Sequence, residues 1–163
     1  MTEKEYNSSV MNLVQFSLAI TKIAEDKAAD NAVKEFVVFE RTEGNAIVNV
    51  LKDLDTVIIE LDDEAQNAFS AIESCEAGPG FDKLFIRAQL KNHRNLRDLT
   101  EDYMDEAPAK KLDIEESQYK HLAILMLTVF IEHVTIAERI HKDLGGDAER
   151  AAANNTDIEK ANS

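Results

Sequence analysis

Five polar side chains stand where the spacing of apolar residues predicts the buried face of a helix. Steps of three and four residues bring apolar side chains onto one helical face, and such a face carries few polar groups when it is buried. The five exceptions are Ser17, Glu40, Glu43, His93 and His133. The carboxylates and imidazoles among them are the side chains of this sequence that could form a functional site.

The depth of these residues along their helices indicates that they share one level. Ser17 lies 11 residues before Ala28, and Glu43 lies 12 residues after Asn31, with a short turn between the two segments. Because an α-helix rises by about 1.5 Å per residue, the two positions fall at the same distance from that turn. His93 and His133 also fall well inside their segments. We therefore expect a polar layer halfway along the core.

One interpretation of this layer is a site for a single divalent metal ion. Carboxylate oxygen and imidazole nitrogen suit iron, manganese or zinc, and helical bundles place such ligands on facing helices. His93, His133 and Glu43 are the predicted ligands, Glu40 is a further candidate, and Ser17 is expected to support them.

Two other interpretations need no metal. The glutamates and histidines can pair with each other in a hydrogen-bonded, partly hydrated core network, because such groups are costly to bury alone. Alternatively, Glu40 or Glu43 lies at the edge of the apolar stripe and reaches solvent.

No glycine-rich phosphate loop, nucleophile motif or zincin helix is present. The sequence thus favours a non-enzymatic structural, interaction or stress-associated role, with metal binding as the alternative.

Four long segments with helical periodicity must position these residues. They cover residues 8–28, 31–54, 81–106 and 115–144, and a short extra helix is predicted over 64–73 in the long connection before the third. The inward face of the second segment includes Val50. The turn at 29–31 is so short that the first two helices must be antiparallel neighbours. The prediction is an all-α, antiparallel four-helix bundle over residues 1–146, followed by a polar tail, frayed or helical, over 147–163.

Length and charge limit the class of partner. A chain of 163 residues is one domain by length and can bury a core without disulfides. Its formal net charge of -14 repels nucleic acid and anionic lipid. The chain has no stretch of about 18 uninterrupted apolar residues. We expect no nucleic-acid partner and no membrane insertion, and pairing into a homodimer through helices is a runner-up mechanism.

Cysteine content and the N-terminal residues bear on the cellular compartment. Cys75 is the only cysteine, which excludes an intramolecular disulfide and a multi-cysteine metal site. The first six residues, MTEKEY, lack the basic and apolar regions of a signal peptide. The expected compartment is the cytoplasm as the sequence is written, or the periplasm or envelope if a leader peptide has been removed.

Three segments resemble the recurring motifs of a large bacterial family that is catalogued as a domain of unknown function. They are IAEDKAADNAVKEF at 23–36, FDKLFIRAQLKNH at 81–93 and EHVTIA at 132–137. The resemblance spans about residues 8–144 and implies a ferritin-like four-helix bundle. It carries over His93 and His133 directly, with Glu43 in place of the family's acidic residue.

The chain departs from that family at two places that concern the site. Ser17 and Ala19 stand where the family usually has a glutamate on the first helix, and Glu43 and Gly44 replace an Asp-His pair on the second. The Glu-x-x-His pairs of di-iron bundles are also missing. The resemblance therefore implies the fold and two imidazoles, and predicts against a standard di-iron centre.

Overall fold

Five α-helices occur in the part of the chain that the structure describes. The computed structural model describes residues 1–58, 60–105 and 114–146, and no strand occurs among them. The helices are α1 (Glu3–Lys27), α2 (Asn31–Asp53), α3 (Asp63–Ser74), α4 (Pro79–Asp105) and α5 (Ile114–Asp143). The all-α prediction is confirmed, and every predicted helix end lies within two residues of the observed one except the start of α1. The polar tail predicted over 147–163 lies outside the described residues.

Helix α1 begins five residues earlier than predicted because a capping box forms at Thr2. The Thr2 side chain accepts a hydrogen bond from the backbone N–H of Glu5, and the Glu5 carboxylate accepts one from the backbone N–H of Thr2. This reciprocal pair satisfies two backbone donors at the helix start. The added turn buries Tyr6, which stacks on Tyr103 of α4 at a ring-centroid distance of 4.1 Å. Burial raises the pKa of Tyr6 to about 12.

The four long helices pack in a closed ring of contacts. Helix α1 contacts α2 and α4, and α5 contacts α4 and α2, while α3 rests on α1 and α4. Two apolar clusters fill the interior, one around Phe36, Phe81 and Phe85 and the other around Met11 and Phe130. On each of the four long helices, the residues in one half belong to one cluster and those in the other half belong to the second cluster. The predicted polar residues lie at that boundary.

Helices α2 and α5 leave several large apolar side chains exposed. Val50 is 40% exposed, so its placement on the inward face was wrong, and Ile124, Leu125 and Ile131 of α5 are exposed as well. By length and composition alone, Gln118–Asp143 could cross a membrane, with a mean hydropathy of 1.5 over its most apolar stretch. One such helix is weak evidence, because core helices of soluble proteins pass the same test.

The buried carboxylate of Asp82 ties the start of α4 to the turn between α1 and α2. The backbone N–H of Ala29 donates to Asp82 Oδ1 at 3.0 Å, and that of Asp30 donates to Oδ2 at 2.9 Å. Asp82 is almost fully buried. Its side chain thus accepts hydrogen bonds from two backbone N–H groups of the turn, one of which belongs to the N-cap residue of α2.

We expect Asp82→Ala to lower the free energy of unfolding by about 1–3 kcal/mol, because it leaves these backbone donors without an acceptor. Urea unfolding followed by circular dichroism measures the loss. Asp26→Ala, at an exposed position of α1, is the matched control and should change stability by less than about 0.5 kcal/mol. Equal losses in the two variants would contradict this role for Asp82.

Candidate metal centre

Three ligand-type atoms from three helices meet in the middle of the core. They are Glu40 Oε2 of α2, His93 Nε2 of α4 and His133 Nδ1 of α5. The glutamate oxygen lies 2.9 Å from each histidine nitrogen, and the two nitrogens lie 3.1 Å apart. All three residues are only 2% exposed. We call Glu40, His93 and His133 the triad.

The backbone sets the hydrogen position of His93. Its Nδ1 lies 2.9 Å from the carbonyl oxygen of Gln89, one turn earlier in α4. Because a carbonyl oxygen only accepts hydrogen bonds, Nδ1 must carry the hydrogen. In the neutral imidazole, Nε2 therefore directs a lone pair toward Glu40 and His133.

The second nitrogen of His133 faces a different carboxylate. His133 Nε2 lies 2.5 Å from Oε2 of Glu43, whose side chain is 39% exposed. The contact is an ion pair, and His133 Nε2 makes no hydrogen bond within the part of the chain that the structure describes. A carboxylate this close favours a hydrogen on Nε2. Nδ1 is then the atom that faces the other two members of the triad.

The second oxygen of Glu40 is held from α1. Ser17 Oγ lies 2.5 Å from Glu40 Oε1 and 2.6 Å from Gln89 Oε1. Gln89 Nε2 in turn donates to Thr21 Oγ1 at 2.9 Å. All of these side chains are buried. They form a polar support that orients the Glu40 carboxylate, so its Oε2 points at the imidazoles.

The charges of the triad favour an ion pair when no metal is bound. Burial alone would raise the pKa of Glu40, but the charge of His93 and the hydrogen bonds from both histidines outweigh it and hold this pKa below its usual range. Burial would likewise lower the pKa of His133, but its hydrogen bond to Glu40 and the charges of Glu40 and Glu43 raise it. The metal-free site thus favours an ionised Glu40 with positive charge on the imidazoles beside it.

An aromatic side chain from α2 packs against both imidazoles. The Phe36 ring centroid lies 6.0 Å from that of His93 and 5.3 Å from that of His133. Phe36 also meets Phe85 edge to face, at 6.4 Å. This packing limits the rotation of the two imidazoles, because interiors are close-packed.

The predicted site residues do not all converge. Glu40, His93 and His133 form the triad, and Ser17 contacts the glutamate. Glu43 lies on the far side of the His133 ring and is not part of the converging set. Depth along the helices predicts Ser17 at the level of Glu43, whereas the Ser17 hydroxyl hydrogen-bonds to Glu40.

Gln89 and Thr21 are the buried polar partners that sequence reasoning did not select. Gln89 lies one turn before His93 on the same apolar face. This spacing is the feature of the sequence from which its place in the core could have been predicted. The Q...H spacing of the 81–93 segment contains both residues.

No protein family, curated protein or solved structure matches this chain. The chemistry of the site is therefore inferred from its own side chains.

Proposed function

We propose that this chain binds one divalent first-row transition-metal ion through Glu40 Oε2, His93 Nε2 and His133 Nδ1. The observation that carries the proposal is that these three buried atoms face one another while the other nitrogen of each imidazole faces an acceptor. Histidine ligands in metalloproteins usually donate that second N–H to a carboxylate or a backbone carbonyl. The Gln89 carbonyl occupies that position for His93, and the Glu43 carboxylate lies against His133 Nε2 as an ion-pair partner.

The distances within the triad suit a metal ion. Bonds of about 2.1 Å place ligand atoms about 3.0 Å apart at right angles and about 3.4 Å apart in a tetrahedron. The observed separations of 2.9 and 3.1 Å are closer to the right-angled arrangement. Two histidines and one carboxylate on one face of the ion are typical of non-haem iron(II), and zinc takes the same donors.

Metal binding and the core ion pair can be two states of one site. Without metal, a proton on His133 Nδ1 separates that nitrogen from the Glu40 oxygen. A metal ion takes the place of that proton, while Glu43 keeps its contact with Nε2. Binding therefore releases a proton, as expected for imidazole ligands. The polar network expected from the sequence is then the metal-free form.

The test is metal stoichiometry in the natural chain and in histidine variants. Protein stripped with a chelator should take up one Fe²⁺, Mn²⁺ or Zn²⁺ per chain, measured by elemental analysis after gel filtration, with iron handled without oxygen. His93→Ala and His133→Ala should lose this uptake, whereas His121→Ala, an exposed position on α5, should retain it. Metal content that is unchanged in both site variants would leave the core network as the function of the triad.

The pH dependence of metal binding follows from the raised pKa of His133. Below that pKa the ion must displace one proton, so its apparent affinity should rise about tenfold per pH unit. The slope should flatten once the pH exceeds the pKa of the metal-free site. Calorimetric titrations in two buffers of different ionisation enthalpy count the released proton. A pH-independent affinity would contradict displacement of a proton from His133.

The stability of the metal-free protein should fall as the pH rises above neutrality, whereas the metal affinity rises. Because the pKa of His133 is raised on folding, its contribution is complete below about pH 6.5 and is lost as the pH rises through the folded value. Because the pKa of Glu40 is lowered, its contribution is present above about pH 4.5 and is lost as the pH falls through the folded value. Thermal unfolding with a chelator present should show the melting temperature falling above pH 6.5. His133→Ala should remove that fall.

We propose further that the four long helices form an antiparallel bundle of ferritin-like type. The ring of contacts among α1, α2, α4 and α5 supports this arrangement. Tyr6 near the start of α1 contacts Tyr103 near the end of α4, and Asp82 at the start of α4 contacts Ala29 just after α1. One long connection containing α3 separates α2 from α4, as in bundles with a single crossover.

Membership of the bacterial family that the sequence resembles is a related proposal. The resembling segments contribute the α1–α2 turn, Asp82 that binds it, Gln89 and both imidazoles of the triad. These motifs therefore correspond to buried contacts of the core, which supports a common architecture.

A further inference from the structure

A second cavity lies between α1, α3 and α4, away from the triad. Its volume is about 130 Å³, and none of the triad residues lines it. A cavity of about 150 Å³ lined by apolar side chains is known to bind benzene. The cavity beneath α3 therefore has room for one ring of that size.

Apolar side chains from all three helices line most of this cavity. Phe16, on α1, is only 7% exposed and contributes an aromatic surface. The other apolar residues of the wall are Leu13, Leu61, Ala65, Ala68 and Ala88. Ligand sites in proteins usually combine such a wall with a few polar groups. An apolar ring placed here would be removed from water, which favours binding.

Asn92 presents an open hydrogen-bond acceptor on the wall of the cavity. It is 4% exposed, and its Nδ2 donates to the carbonyl oxygen of Leu13 at 3.0 Å. That bond fixes the orientation of the amide, because a carbonyl oxygen only accepts. Asn92 Oδ1 accepts no hydrogen bond from the residues that the structure describes. Buried polar groups normally have a partner, so a ligand with an N–H group can supply the missing donor.

A second carboxamide on the same wall also lacks a partner. Asn12 Oδ1 is buried and makes no hydrogen bond within the described part of the chain. A half-turn of this amide exchanges its oxygen and nitrogen, so Asn12 can adapt to a donor or an acceptor on a ligand. The fixed oxygen of Asn92 therefore sets the requirement for a donor.

The rim of the cavity is acidic. Its charged residues are Asp62, Glu64 and Lys91, all exposed, and Lys91 forms an ion pair with Glu64. Asp62 caps α3, and Asp63 and Glu64 lie in its first turn, so they offset the positive end of that helix. The rim then has a net charge of -1, and the whole chain has one of -14. Such a field attracts cations and repels anions.

We propose that this cavity binds a small primary amine with an apolar ring, of the class of the arylalkylamines. The ring packs against Phe16 and the aliphatic side chains of the wall. The ammonium group donates to Asn92 Oδ1, and the acidic rim favours its charge. This site lies outside the proposed metal centre and does not depend on a metal ion.

Benzylamine is the direct probe, with benzyl alcohol and benzoate as ligands of similar size that differ in charge. Titration of the full chain, followed by nuclear magnetic resonance of its backbone amides, should give saturable shifts that are largest where α1, α3 and α4 line the cavity. Benzyl alcohol should bind more weakly, because it lacks the charge. Benzoate should show no saturable shift up to about 10 mM. A chelator keeps the protein free of metal.

Two changes in the wall test the placement of the ligand. Ala68→Leu fills the cavity from α3 and should weaken benzylamine binding at least about tenfold. Ala71→Leu makes the same change at an exposed position of α3 outside the cavity and should leave binding unchanged. Asn92→Leu removes the acceptor and should also weaken binding about tenfold. Circular dichroism reports whether each variant folds, and the alanine pair tests the site even if Asn92→Leu does not.

The outcomes are distinct from those of the metal experiments. Saturable benzylamine binding that is weakened by Ala68→Leu but not by Ala71→Leu, with no binding of benzoate, supports the inference. Absence of saturable benzylamine binding, equal binding of benzoate, or equal effects of the two alanine substitutions overturns it. Metal uptake is measured on separate samples, so either proposal can fail while the other stands.

Discussion

Replacing Glu40 by glutamine is expected to lower the affinity for the metal ion by at least about 100-fold. Loss of a group that hydrogen-bonds to a metal ligand typically lowers the metal affinity 10- to 100-fold. Glu40 is itself a proposed ligand, so we expect its replacement to lower the affinity at least as much. Glutamine keeps the shape of the side chain, so Ser17 can still donate to its oxygen. The variant removes the negative charge of the proposed ligand with little change in the volume of the side chain.

Competition with a coloured chelator measures this change over a wide range of affinity. Glu35→Gln is the matched control, because it removes one charge at an exposed position of the same helix and should alter the affinity by less than about threefold. Helical content by circular dichroism reports whether each variant folds. A folded Glu40→Gln protein that binds metal as tightly as the natural chain would exclude Glu40 as a ligand.

Phe36→Ala is expected to cause the largest loss of stability, about 3–5 kcal/mol. Phe36 is 0% exposed and contacts Phe85 and both imidazoles. Truncation removes the apolar contacts of the ring and leaves a cavity that the surrounding helices can fill only in part. The imidazoles also lose their packing partner, so metal affinity should fall in the protein that remains folded.

Phe39→Ala is the control for this prediction, on the same helix and with the same change of side chain. Phe39 is 42% exposed, so the loss should be well below that of Phe36→Ala. Urea unfolding of the two variants, stripped of metal, gives the difference in the free energy of unfolding. Similar losses would mean that α2 does not present Phe36 to the core as described.

The two states proposed for the triad, with and without metal, give a reason for a costly arrangement of buried charges. A buried ion pair contributes little net stability, because desolvation offsets the attraction between its charges. In this chain the pair also keeps three ligand atoms within about 3 Å of one another. A site arranged this way would need little reorganisation when a metal ion replaces the proton.

Much of the fold could be predicted from the sequence because helical periodicity and capping are local properties. The all-α class and the approximate ends of four helices follow from residues close in sequence. The early start of α1 was also readable, since Thr2 and Glu5 have the spacing of a capping box. The error at Val50 arose because apolar character alone does not tell which side of α2 is covered.

The sequence by itself determined which residues could meet, and the tertiary structure decided how they meet. Periodicity directs Glu40, His93 and His133 toward the interior and places them at mid-helix. It does not separate Glu40 from Glu43, because positions three apart on a helix differ by only about 60° in direction. The packing of α5 against α2 determines which glutamate joins the triad. It places Glu40 beside Nδ1 of His133 and Glu43 beside its Nε2. Distances between atoms on different helices depend on packing over the whole core, which no local pattern encodes.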